Sequence, residues 1–140
     1  MLYSRSFETI TLDGARRVKE QALAQASALG LSIALVVIDH RGILVLAETM
    51  DEAPPGASET ALMKAKGAAR YRTATHRTAE FIKTLPAGLA QHALSLPELC
   101  AFQGGVPIAI EGRIVGGLGI SGGNGEQDME IALKAVAAVA

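Results

Sequence analysis

The 140-residue chain has no tryptophan, a single cysteine and only 4% aromatic residues. Without a second thiol, Cys100 can close no disulfide within the chain and build no thiolate metal cluster. An excess of one charge is also missing. The 13 Lys and Arg against 14 Asp and Glu leave a formal net charge of −1, with no basic stripe to follow a nucleic-acid backbone. No apolar run reaches the roughly 18 residues of a membrane span, and Met1 to Glu8 lack the apolar centre of a secretory signal. A cytoplasmic, reducing location is therefore expected, with neither nucleic acid nor membrane as partner.

What remains is aliphatic. Apolar residues make up 49% of the chain and glycine contributes 15 positions. With so few rings, the core must be filled by Ala, Val, Ile and Leu, and small side chains suit helices lying close on a sheet. The length predicts one domain, 1–140, able to bury a real core.

The organising stretch runs from Gly104 to Gly123. Val106 to Ile110 and Arg113 to Ile120 read as two strands joined at Glu111-Gly112. Gly116, Gly117 and Gly119 interrupt the second strand, which marks close approach of either another backbone or a ligand. Ser121-Gly122-Gly123-Asn124-Gly125 then leads into a helix, where free amides such as those of Gly122 and Gly123 favour an anion.

The rest follows in order. Thr11 caps a helix whose stripe is Leu12, Ala15, Val18, Ala22, Ala26 and Leu29, and Gly30 stops it. Ser32 to Asp39 is a buried strand, Asp39 to Gly42 a turn and Ile43 to Met50 its antiparallel partner. Asp51 to Ala57 is irregular, and Ser58 is expected to cap a helix over Glu59 to Arg72. Thr73 to Thr78 breaks the pattern, Ala79 to Thr84 reads as a short helix, and Ala87 to Leu99 as loop with helical turns. A short strand is expected near Cys100 to Gln103. The last helix starts near Glu126, with Met129, Leu133, Val136 and Ala140 facing inward. This order predicts an α+β fold with an antiparallel sheet flanked by helices.

Three histidines are present, His40, His76 and His92, and none share i,i+2 or i,i+4 spacing, so no metal site is expected. His40 sits in a turn. His76 lies near Arg72 and Arg77, a cluster able to hold carboxylates or simply a solvated helix end. Lys64 shares a face with Ala61 and Ala68, so its ammonium either snorkels or enters a pocket. Asp39 either caps its turn or serves as an acid–base group. Cys100 reads as inert core.

Taken together, several pieces resemble the GlcG/HbpS-type heme-binding (haem-degrading) domain family, also found at the C-terminus of some corrinoid adenosyltransferases. They are Thr11-Leu12-Asp13-Gly14-Ala15, Val37-Ile38-Asp39-His40-Arg41-Gly42, Met50-Asp51 with Pro55-Gly56-Ala57-Ser58, Ala61-Leu62-Met63-Lys64-Ala65, and the run from Gly104 to Asp128. The resemblance implies a profilin-like α/β sandwich assembled as a homo-oligomer, from dimer to octamer, with heme or a related tetrapyrrole as ligand. Where members use an axial histidine near the N-terminus, this chain has none before His40. Iron ligation would fall to His40, His76, a methionine such as Met50, or an oxygen ligand. The expected pocket lies between the Gly-rich hairpin, the Pro54-Pro55-Gly56 loop and the second helix, with Lys64 or Arg72 pairing the propionates. The alternative is a cofactor-independent enzyme acting on a small organic acid by proton transfer or lyase chemistry. It would use Lys64 as charge partner, Asp39 or Asp128 as acid–base groups and the Gly122-Gly123 amides as carboxylate receptor.

Overall fold

The computed structural model describes residues 2–140. The elements are α1 (Leu12–Ala28), β1 (Ala34–Asp39), β2 (Leu44–Thr49), α2 (Ala57–Tyr71), α3 (Thr75–Lys83), α4 (Ala87–Leu94), β3 (Gly105–Ile110), β4 (Arg113–Ser121) and α5 (Gly125–Val136). One four-stranded sheet runs in the order β2-β1-β4-β3 with every pairing antiparallel. The α+β class read from the sequence is the one observed.

β1 is buried along its whole length because helices cover both faces of the sheet. Its alternate side chains divide between two cores. Leu35 and Val37 join Val18, Ala22, Ile108, Leu118, Ile120 and Ile131 on the side of α1 and α5. Val36 and Ile38 pack with Ala57, Ala61 and Ala65 of α2 on the other side.

Gly117 and Gly119 of β4 belong to this second layer, whereas Gly116 abuts the Ile38 carbonyl of β1. A Cβ on Gly117 would lie 2.5 Å from the carbonyl oxygen of Ala65, and one on Gly119 would run into the carbonyl of Ala61. Backbone meets backbone here, so of the two readings of those glycines the close packing of a helix holds. The hairpin lies flush under α2 where a pocket between the two was expected.

Thr11 caps α1 as expected, its Oγ1 accepting from the Gly14 amide at 3.0 Å, and Gly30 takes a left-handed φ of 68° beyond it. Four other expectations need correction. Ser58 does not cap α2: the helix starts at Ala57 with Gly56 at the cap position and no side-chain cap bond. α3 begins at Thr75, absorbing most of the expected break. Thr75 is buried there and its Oγ1 bonds the Gly105 amide at 2.9 Å, which anchors the helix start to β3. Residues 100–103 form no strand, since Cys100 packs under Gly67 of α2 and β3 pairs only with β4. Finally, α5 buries Asp128, Ile131, Ala132 and Ala135, while Leu133 points outward. Its inner face includes a carboxylate, which a purely apolar criterion rejects.

Candidate functional site

Both hairpin turns lie at one end of the sheet, because antiparallel pairing sets the end of β1 beside the start of β4 (Asp39 against Gly116). Asp39 shapes the first turn. Its Oδ1 accepts from the amides of Arg41 (2.8 Å) and Ile43 (3.0 Å), and its Oδ2 from the Arg41 guanidinium at 2.7 and 3.0 Å. Burial pushes this carboxyl up, but the bonds from the Arg41 side chain and the two amides, with the Arg41 charge, outweigh it and hold the group below its ordinary value. Asp39 is thus the cap of the turn that presents the next residue, His40.

The half-buried His40 is held from several sides. Its amide donates to Thr9 Oγ1 at 2.9 Å. The Phe7 ring stacks on its imidazole, with centroids 4.5 Å apart and planes 25° from parallel, and the Arg5 guanidinium lies 4.8 Å from the Phe7 centroid. The segment carrying these residues is tied to the sheet where the Ile10 amide donates to the Val115 carbonyl at 3.0 Å. Neither ring nitrogen of His40 has a hydrogen-bond partner among the described residues.

His40 lines an open concavity of about 480 Å³ together with Phe7, Glu8, Arg72, Arg113 and Ile114. Arg113 is ion-paired to Glu8. Arg72 ends α2 in a left-handed conformation (φ 56°), its amide bonding the Ala68 carbonyl, and its guanidinium has no ion-pair partner among the described residues. The fold therefore gathers two of the candidates, His40 and Arg72, in one basic concavity.

It does not gather the others there. Met50 lies beyond the far end of β2, its sulfur accepting from the Ile33 amide at 3.3 Å. His76 sits in the first turn of α3 with Nδ1 buried and unpartnered, and it does not line the His40 concavity. Lys64 and Asp128 are both buried and bond each other at 3.0 Å, while Lys64 Nζ also donates to the Ile120 carbonyl at 2.8 Å. The second Asp128 oxygen accepts from the Gly123 amide at 2.8 Å. The glycine loop does receive an anion, and that anion is the chain's own carboxylate. Phe7 and Arg113 were not singled out from the sequence. The signal available for Phe7 was its rarity, as one of only three phenylalanines.

Among the described residues no group of three or more His, Cys, Asp or Glu could hold a metal ion, and no helix is long and apolar enough to cross a membrane. Cys100 is free and buried, and burial pushes its thiol up despite the Phe102 amide and the Lys64 charge.

Comparison with known proteins then gives the lineage. Residues 10–137 match the family model described as haem degrading protein HbpS-like. The chain belongs to the HbpS-like family. It is 30% identical over 136 residues to a 15.0 kDa protein of the dhaT–dhaS intergenic region of Citrobacter freundii, covering 95% of this chain and 94% of that one. The HbpS-like fold is also that of the Klebsiella pneumoniae protein ORFY, at a TM-score of 0.90 and 26% identity over 99% of this chain and 96% of the other. The PduOC:heme complex is similar at a TM-score of 0.82 and 32% identity, over 94% and 95% of the two chains.

Proposed function

We propose that this HbpS-like chain binds heme in the concavity at the turn end of the sheet, with His40 as the iron ligand. The observation that carries the reading is His40 itself: a histidine gripped by its ring face and its amide, with both ring nitrogens free, in a basic concavity. Family membership and the heme complex of a 32% identical structure support the same ligand class.

The residues present suit the group. When bound, heme supplies an iron that takes an imidazole nitrogen and two propionates that carry negative charge. A nitrogen lone pair lies in the ring plane, so a ring covered on one face by Phe7 still offers its edge. Arg72 and Arg113 would pair the propionates, and Phe7 and Ile114 would cover apolar surface. An organic-acid enzyme built on Lys64, Asp39 and Asp128 draws no comparable support, because each of these groups is already paired within the fold.

Assembly with further copies is part of the reading, supported by the exposed side chains of Met63, Phe81, Leu94 and Phe102. A reducing cytoplasm suits the lone free thiol.

Hemin titration followed by absorbance tests the site. The wild type should give a saturable Soret shift, His40→Ala should lose it, and Arg72→Ala should weaken it severalfold. A His40→Ala protein that titrates like the wild type overturns the assignment.

A further inference from the structure

His40 also lines a second, smaller concavity of about 250 Å³. Its walls are Arg41 from the β1–β2 turn, Lys66 and Arg70 from α2, and Glu98, over an apolar floor that includes Ile38 and Ala69. Three cations and one acid line it. Two of the cations are partly committed: Arg41 to Asp39, and Arg70 to Glu98 at 3.3 Å. Lys66 is half-buried and has no ion-pair partner among the described residues.

Lys66 and Arg70 stand four residues apart on one helix, a like-charge spacing that costs helix stability unless something negative lies between them. Glu98 answers part of that charge, from a left-handed backbone conformation with φ 61° that is unfavourable for a residue with a side chain. After those pairings one positive charge is left uncompensated in a recess partly screened from water, where it counts for more than on an open surface.

We propose that this recess is a separate site for a small oxyanion, a short dicarboxylate or a phosphate, held between Lys66, Arg70 and Arg41. Its volume suits a molecule of a few heavy atoms and is about half that of the concavity assigned to heme. His40 borders both concavities. The inference stands apart from the heme reading, since none of its cations is used there.

Calorimetric titration of the full chain with malonate and, separately, with inorganic phosphate, at ionic strength held constant with sodium chloride, tests it. Saturable binding of either anion is expected, and the tighter of the two names the source. Lys66→Met and Lys66→Gln should each weaken that binding at least tenfold while leaving the hemin titration unchanged. Absence of saturation for both anions overturns the proposal, as does Lys66→Met and Lys66→Gln binding as tightly as the wild type. Failure of hemin to bind any variant overturns the heme reading alone.

Discussion

Lys64 and Asp128 are 64 residues apart in the chain and 3.0 Å apart in the fold, each almost wholly removed from water. The pair ties α2 to the start of α5, and its remaining bonds reach the end of β4 at the Ile120 carbonyl and the loop beyond it at the Gly123 amide. Removing one partner leaves a buried charge without compensation. Lys64→Met and Asp128→Asn should therefore each cost about 3–5 kcal/mol. Replacing both with apolar residues should cost much less than the sum of the two. Denaturant unfolding of the two single variants and the double variant checks this. Additive losses would mean the two groups are not coupled.

The same pair explains why the α5 face was misread. Asp128 falls on the stripe with Ile131, Ala132 and Ala135, and only a partner from a distant helix makes an aspartate acceptable there. Several local signals were legible: the Thr11 cap, the β1 run, and the hairpin around Glu111-Gly112 stand where the residues predicted them, whereas the Ser58 cap does not. Long-range choices were not legible. Nothing near Cys100 announces that it lies under Gly67 with no strand partner, and nothing near Phe7 announces that it meets His40. The family resemblance supplied the heme expectation, while the concavity joining His40 with Arg72 and Arg113 depends on three turns and helix ends brought to one edge of the sheet.

Glycine positions separate into two kinds with opposite predictions. At Gly119 a methyl group would meet the Ala61 carbonyl, a backbone atom that cannot rotate away. Gly119→Ala should cost at least about 3 kcal/mol, at the upper end of overpacking. At Gly88, inside α4, an added methyl meets nothing within 4 Å. Gly88→Ala should stabilise by about 0.5–1 kcal/mol, by restricting the unfolded chain and favouring the helix. Midpoints of guanidinium unfolding moving in opposite directions would agree with both. A tolerated Gly119→Ala would contradict the packing of α2 on β4.

Asp39 gives an acid-side signature. Its carboxyl is held below 3.8 in the fold. Such a group adds stability at pH above its unfolded value, and that contribution is lost as pH falls through the lower folded one. Asp39→Asn keeps the shape but removes the charge. The gap in unfolding free energy between wild type and Asp39→Asn should be full above about pH 5, near 1.5–3 kcal/mol for charge-assisted hydrogen bonds, taken at about that size. It should close as pH drops below 3.8. A gap independent of pH would show that geometry alone holds the turn.

Phe7 separates orientation from obstruction at His40. The ring covers one imidazole face and leaves the edge, which carries the nitrogens, uncovered. If Phe7 orients the imidazole, removing it frees the ring to wander and costs bound states more than free ones. A stacked pair is worth about 0.5–1.5 kcal/mol, so Phe7→Ala should weaken hemin binding by roughly two- to twelvefold, with the Soret position unchanged because the ligating residue is the same. Phe7→Tyr keeps a stacking ring and should restore most of the affinity. Tighter hemin binding in Phe7→Ala would mean instead that the residue 5–9 segment shields the histidine and must move before a ligand enters.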